Sequence, residues 1–144
     1  MLLQRRRMAQ FARPPLIVSM PQLSPSMNHG SVHRWCKAHG ETIESYDVLL
    51  EVKTGELLSE EYREPGQIDI MEIESHEDGA IARLLVDASD AQIPVGEPIA
   101  VLAEDEGDLD AMSQLALEDV KQLLKTPGAY RTFCWQAYKV PGSS

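Results

Sequence analysis

The side chains that could support catalysis or metal binding are few in this chain and stand apart from one another. The two cysteines, Cys36 and Cys134, are almost a hundred residues apart and form no CxxC or Cys/His pattern, so we predict free thiols. No glycine-rich phosphate loop, nucleophile elbow or supported pair of carboxylates is present. The histidines show no spacing that metal ligands use, and they are His29, His33, His39 and His76. The sequence therefore predicts no catalytic residue, no metal site and no bound cofactor.

Residues 49–81 are the most informative stretch. The two ends, LLEVKT and MEIESHEDG, alternate as two strands that face each other. The sixteen residues between them, 55–70, exceed what a compact hairpin needs and are rich in acids. From residue 51 to residue 78, ten acids stand against two basic residues. Leu57, Leu58 and Tyr62 form a short apolar stripe here, which we predict either to contact a partner protein or to pack back on the domain.

Charge is distributed unevenly along the 144 residues. The net charge of −10 argues against a DNA-binding surface, because neutralising phosphates needs clustered Lys and Arg. No acid precedes Glu41, while residues 1–15 hold Arg5, Arg6, Arg7 and Arg13. This basic arm has the composition of a mitochondrial transit peptide, or else is a short basic tail. No apolar run approaches the roughly 20 residues that cross a bilayer, so we expect a soluble or peripheral protein.

Short strands separated by Gly- and Pro-containing turns occupy residues 16–105. We predict strands at 16–19, 30–35, 48–54, 68–75, 80–86 and 99–105, and a turn at 76–79, HEDG. The two halves of this region repeat each other, with Val32 aligned on Ile81 and Arg34 on Arg83. The pattern predicts a mainly β sandwich or flattened barrel with quasi-two-fold symmetry, whose halves are joined by the enlarged hairpin 55–70.

From Asp108 onward the apolar spacing changes to three and four residues. Asp108 is a suitable N-terminal residue and TPG (126–128) a suitable stop, so we predict one amphipathic helix over 108–125. The tail that follows, 126–144, holds four of the eight aromatic residues, which is unusual for a disordered segment. We predict these four as partner contacts, because aromatic side chains are enriched at interfaces: Tyr130, Phe133, Trp135 and Tyr138.

Five sequence blocks together resemble one known family. They are MPQLSPSM (20–27), GSVHRWCKAHGETI (30–43), YDVLLEV (46–52), MEIESHEDGAIARLLV (71–86) and VGEPIAVL (95–102). In this order they resemble the lipoyl domain of the dihydrolipoamide acyltransferases of 2-oxo-acid dehydrogenase complexes, part of the biotinyl/lipoyl attachment family. The resemblance covers about residues 16–105. It implies a flattened barrel of two four-stranded sheets related by quasi-two-fold symmetry.

The resemblance also implies that one lysine at the tip of the central hairpin carries the lipoyl group. The family motif reads Glu-Thr-Asp-Lys-Ala and leads into Met-Glu-Ile-Glu-Ser, with four residues between the Thr and the Met. Here Gly55 stands at the Asp position and Glu56 at the lysine position, and counting back from Met71 puts Ile68 there instead. About twelve residues are inserted at this point. Lys53, three positions early, is the nearest lysine and the alternative site of lipoylation.

We therefore expect a non-catalytic, non-lipoylated accessory or structural subunit of a large mitochondrial assembly, in the matrix or on the matrix side of the inner membrane. A respiratory-chain complex is preferred to a mitochondrial ribosome, in which the basic arm would contact RNA. The expected partners are other protein subunits. Two alternatives stay open: a lipoyl carrier of a 2-oxo-acid dehydrogenase complex, modified at Lys53, and a regulatory mimic of such a domain.

Overall fold

Short extended segments bounded by turns form the framework of the protein. The computed structural model describes residues 11–141, and within them the mainly β fold predicted from the sequence is confirmed. The strands are β1 (Leu16–Ser19), β2 (His29–Trp35), β3 (Thr42–Ile43), β4 (Val48–Thr54), β5 (Asp69–Ser75), β6 (Gly79–Leu84), β7 (Ile93–Pro94), β8 (Pro98–Ala103), β9 (Arg131–Thr132) and β10 (Trp135–Lys139). The helices are α1 (Leu109–Met112) and α2 (Leu117–Leu124), and 3₁₀ turns lie at Glu60–Tyr62 and Glu106–Asp108.

The strands form two sheets that repeat one topology. Their orders are β3-β6-β8-β1-β9 and β10-β5-β4-β2-β7. Leaving out β9 and β10, every strand of the first sheet has its counterpart in the second: β1 corresponds to β5, β3 to β7, β6 to β2 and β8 to β4. The quasi-two-fold relation predicted from the internal repeat therefore exchanges the two sheets.

The repeat extends to the irregularities of the strands. β2 pairs antiparallel with β4, and its register shifts between Val32 and Arg34. β6 pairs antiparallel with β8, and its register shifts between Ile81 and Arg83. These positions are equivalent in the internal repeat. Because a bulge bends and twists its strand, both halves of the fold curve at the same point around the shared core.

The inner faces of the two sheets bury one apolar core. One sheet contributes Leu50 and Val52 of β4 and Ile73 of β5, which are inaccessible to solvent. The other sheet contributes Ile81 and Leu102, which pack in the same cluster. Fully burying a side chain of this size contributes about 1.5–3 kcal/mol. The core therefore fixes both strands of the central hairpin.

A helical layer covers the outer face of the sheet that contains β1 and β8. Met112 of α1 and Val120 and Leu123 of α2 are buried there against Ile17 and Val101 of the sheet. This second apolar cluster lies on the side of the sheet away from the shared core. Within residues 11–141, none of the helices is long and apolar enough to cross a membrane.

The prediction of one continuous helix over 108–125 is wrong. The backbone of Ala116 is extended, with φ −88° and ψ 165°, so the chain leaves helical geometry between α1 and α2. The Ala116 N–H donates to Oδ2 of Asp119 at 2.9 Å, and this contact supplies an acceptor at the start of α2. Leu115 lies in the break and is buried in the helical layer. The break therefore allows apolar side chains on both sides of it to contact the sheet.

The C-terminal tail completes both sheets. β9 pairs parallel with β1, and β10 pairs antiparallel with β5. The four strands expected in each sheet are present, and the tail adds a fifth to each. Phe133, between β9 and β10, is only 4% exposed and packs in the shared core. The tail is thus an integral part of the sandwich.

The segment before β1 docks beside the helical layer. The buried carboxylate of Asp108 accepts hydrogen bonds from the backbone N–H groups of Ala12 at 2.7 Å and Arg13 at 3.0 Å. Phe11 packs against the same layer. Asp108, predicted as a helix cap, makes no capping hydrogen bond to α1 and binds the N-terminal segment instead. Residues 1–10, the greater part of the predicted basic arm, lie outside the described residues, as do residues 142–144.

Candidate functional site

The central hairpin, β4 with β5, joins the two halves of the fold. Its antiparallel ladder ends at the pair Thr54 and Asp69, and residues 55–68 lie beyond that pair. These residues are termed the tip. Because ladder hydrogen bonds fix the direction of both strands, the tip leaves the sandwich at a defined place. This is the position at which the family resemblance implies a lipoyl lysine.

The base of the tip is fastened to the loop before β2. The carboxylate of Glu56 accepts hydrogen bonds from the backbone N–H groups of Asn28 at 3.2 Å and His29 at 2.7 Å. The Ser26 hydroxyl donates to the carbonyls of Glu56 at 2.9 Å and Leu57 at 3.1 Å. Glu56, which occupies the lysine position when the motif is counted from Thr54, is therefore bound to its own chain. It anchors the tip and does not project into solvent.

The top of the tip is an exposed apolar surface. Tyr62 ends a 3₁₀ turn and is 69% exposed, and Leu58 and Ile68 are each 43% exposed. Leu57 is partly buried, so only Leu58 and Tyr62 of the predicted stripe face solvent freely. The Arg63 guanidinium donates to the Leu58 carbonyl at 2.6 Å and closes the turn. Exposed acids surround this surface: Glu60, Glu61 and Glu64.

Lys53 lies within β4 and not at the tip. It pairs with Ser31 on one side and Ile70 on the other, so its backbone is in the middle of the sheet. Its ammonium forms an ion pair with the carboxylate of Asp90, and the hydrogen bond from Lys53 lowers the pKa of Asp90. The lysine is partly buried and engaged with the loop before β7. The central hairpin does not fit a lipoyl group, because the tip carries no lysine and Lys53 is not presented at a turn.

The aromatic residues of the tail divide into two groups. Phe133 is buried in the shared core, and Tyr130 is partly buried against the helical layer. These two rings therefore make packing contacts within the chain. Trp135 and Tyr138 of β10 are 37% and 47% exposed. Of the four predicted partner contacts in the tail, only these two present a surface to another protein.

Sequence reasoning missed a link between the tail and the tip. The Lys139 ammonium lies 3.3 Å from Oδ1 of the buried Asp69, the residue that ends the hairpin ladder. Lys139 also lines a shallow cleft together with Leu58 and Tyr62. The end of the tail and the tip therefore form one surface. The charges of Lys139 and Asp69 were visible in the sequence, but their contact depends on the pairing of β10 with β5.

The histidines and cysteines lie apart in the structure as in the sequence. His33 is near Glu51 at 3.9 Å, and the His76 ring is 5.7 Å from that of Tyr46. Among residues 11–141, no group of His, Cys, Asp and Glu is arranged to hold a metal ion. Both cysteines are free; burial raises the pKa of the Cys36 thiol, and a hydrogen bond with Glu77 raises that of Cys134.

The turn predicted at residues 76–79 connects β5 to β6. The carboxylate of Asp78 accepts hydrogen bonds from the backbone N–H of Ser45 at 2.8 Å and from its hydroxyl at 3.2 Å. The Ser75 hydroxyl donates to the Glu77 carbonyl at 2.8 Å. These polar groups stabilise the connection between the two strands, and the turn predicted from the sequence is confirmed.

Comparison with known proteins gives a consistent set of relatives, although no protein-family model matches the chain. The chain is 36% identical over 103 residues to the mitochondrial dihydrolipoyllysine-residue acetyltransferase component of the pyruvate dehydrogenase complex of Schizosaccharomyces pombe, over 72% of this chain and 19% of that protein. It is 35% identical over 103 residues to the protein of the same name from Saccharomyces cerevisiae, with coverage of 72% and 19%.

A third relative has a different name in the same complex. The mitochondrial pyruvate dehydrogenase complex protein X component of Saccharomyces cerevisiae is 37% identical over 91 residues, which are 63% of this chain and 19% of that protein. The chain thus spans about a fifth of the length of these relatives.

Proposed function

Because this chain belongs to the lipoyl-domain family, we propose that it is a non-catalytic, non-lipoylated subunit of a mitochondrial 2-oxo-acid dehydrogenase complex of the pyruvate dehydrogenase type. One observation carries the proposal. Neither register of the hairpin places a lysine where the family presents one: counted back from Met71 the position holds Ile68, and counted from Thr54 it holds Glu56, whose carboxylate binds backbone N–H groups of its own chain. The fold of a lipoyl carrier domain is kept, while the lysine that would carry the lipoyl group is missing.

The names of the relatives support this assembly over the other candidates. The relatives described above are components of pyruvate dehydrogenase complexes, and their names place them in mitochondria. They give no support to the preference for a respiratory-chain complex, which we do not retain. On the same basis we propose a mitochondrial location, and the matrix within it. A carrier modified at Lys53 is disfavoured, because Lys53 is within a strand and paired with Asp90.

The tip supplies the surface by which the subunit binds its complex. Leu58 and Tyr62 offer exposed apolar area, and the acids around them give this surface a negative rim. Such a surface fits an apolar depression edged by Lys and Arg on a partner protein, because complementary charge steers association and fixes orientation. Salt screens exposed charges, so binding should weaken as ionic strength rises.

Affinity purification of the tagged full chain from mitochondria tests the proposed function. We expect components of a 2-oxo-acid dehydrogenase complex to co-purify, and the intact mass of the recovered chain to show no lipoyl increment. Recovery of respiratory-chain or ribosomal subunits alone would refute the assembly that we propose. A lipoyl increment on Lys53 would instead restore the carrier alternative.

Removing the apolar side chains of the tip should separate the chain from its complex. We expect the double substitution Leu58→Ala and Tyr62→Ala to lower the yield of co-purifying subunits at least about tenfold, since anchors of this kind dominate interface energies. Tyr46→Ala is the matched control, because Tyr46 is 71% exposed, much like Tyr62 at 69%, and lies away from the tip. Equal yields from the double variant and the control would exclude the tip as the docking surface.

A further inference from the structure

Among residues 11–141, one long strand edge is left open. In the described part of the chain, the edge strands β3, β7 and β9 have two residues each, whereas β10 has five. Sheets are protected against pairing with other chains by very short edges, charges, prolines or bulges. The pairing of β10 with β5 has a continuous register from Trp135 to Lys139, and the one charge of β10 is at its end. The middle of β10 has none of these protections.

The backbone groups of β10 alternate in direction. The Val140 N–H donates to a carbonyl of β5 at 2.9 Å, and the Cys134 carbonyl accepts from the residue after β5 at 3.0 Å. In an antiparallel ladder, the residues between such positions turn their N–H and C=O groups to the opposite side. Trp135, Ala137 and Lys139 therefore present backbone donors and acceptors along the open edge.

We propose that β10 pairs antiparallel with the β10 strand of a second copy of this chain. The five-stranded sheet that contains β10 in one copy would then join the same sheet of the second copy, and the two would form one continuous sheet across a symmetric dimer. The two-fold axis passes beside Ala137, which faces Ala137 of the second copy. About six backbone hydrogen bonds join the two strands in this register. The dimer is independent of the function proposed above, because its test needs only the purified chain.

The register around Ala137 is self-complementary. Trp135 of each copy faces Lys139 of the other, so the indole packs against the hydrocarbon stem of Lys139 while the Lys139 ammonium stays paired with Asp69 of its own chain. On the other face of the sheet, Gln136 faces Tyr138, which is 47% exposed in the single chain. No two like charges stand opposite each other. The pairing covers Trp135 and Tyr138, the two exposed aromatic residues of the tail.

Charge favours this edge for contact between two copies. Each chain has a net charge of −10, so most surfaces of two copies repel each other. Residues 120–144 contain four basic residues and no acid. β10 itself therefore brings no acid to the contact between two acidic molecules, and the acids beside it in the ladder, Glu72 and Glu74 of β5, lie one strand back from the interface.

Analytical ultracentrifugation of the full chain over a concentration series, from micromolar to hundreds of micromolar, tests the dimer. We expect a monomer of 16.0 kDa in equilibrium with a species of twice that mass. Ala137→Pro should raise the dissociation constant at least about tenfold, because it removes the two donors at the centre of the interface. The Ala137 N–H points away from β5, so proline, which open edges tolerate, leaves the internal ladder intact. A monomer at all concentrations, or a variant that dimerises like the wild type, would overturn the proposal.

Cysteine cross-linking gives a second readout that does not depend on the folding of the proline variant. In a background with Cys36→Ser and Cys134→Ser, we expect Ala137→Cys to form a covalent dimer on mild oxidation. Residues that face each other in such a pair have Cα atoms about 5.5 Å apart, which is within disulfide range. Ala91→Cys in the same background is the control, because Ala91 is exposed and lies outside β10. Equal rates of cross-linking at the two positions would contradict the proposed pairing.

Discussion

Phe133→Ala lowers the free energy of unfolding by about 3–5 kcal/mol, the usual cost of removing a buried aromatic side chain. Phe133 is only 4% exposed and packs with the core shared by the two sheets. It connects β9 with β10, so its loss also weakens the attachment of both tail strands. Urea unfolding followed by circular dichroism measures the change.

Tyr138→Ala is the matched control for this substitution. Tyr138 is in the same tail and 47% exposed, so we expect its truncation to change the free energy of unfolding by less than about 1 kcal/mol. If the two variants unfold alike, the tail is not part of the cooperative unit. A selective loss with Phe133→Ala would show that the domain extends beyond residue 105, where the family resemblance ends.

Restoring the short hairpin should convert the chain into a substrate for lipoylation. We expect replacement of residues 55–69 by Asp-Lys-Ala to yield fully modified protein when a lipoate ligase is co-expressed, while the natural chain stays unmodified. The reason is geometric: β4 and β5 keep their ladder up to the pair of Lys53 and Ile70, and the new lysine is presented at the turn that closes it. Intact-mass measurement distinguishes the two states.

The control for this replacement is the same short hairpin with Asp-Arg-Ala, which keeps the positive charge but offers no amine for acylation. Modification of the natural chain at Lys53 would contradict our interpretation that its position within β4 and its ion pair with Asp90 keep this lysine from being lipoylated. Failure of the lysine variant to be modified, with its fold intact, would show that ligase recognition needs surfaces that this chain has lost elsewhere.

The sandwich was predictable because its determinants are local or repeated. Alternating residues mark each strand, and the repeat that aligns Val32 with Ile81 predicts the exchange of the two sheets. The absence of a tip lysine is likewise a fact of the sequence. Its physical meaning, a Glu56 carboxylate bound to Asn28 and His29, required the structure, because that contact joins two loops that are distant in the chain.

The helix and the tail show where sequence patterns were insufficient. Apolar periodicity runs through residues 108–125 without a Gly or Pro to mark an end, so the break at Ala116 had no strong signal. It depends on the contact of Asp119 with the Ala116 N–H and on the burial of Leu115. The tail gave only an excess of aromatic residues, since the strand conformation of β10 depends on the edge that β5 provides.

The late position of β9 and β10 in the chain determines when folding is completed. Leu16 pairs with Arg131 and Met71 with Lys139, so the closing contacts join residues far apart in sequence. Contacts of large sequence separation form slowly, because a long loop must close first. While the chain is being synthesised, the edge of β5 and the place of Phe133 in the core stay open until residues 131–139 emerge. The sandwich is therefore completed only when residues 131–139 are available to pair with β1 and β5.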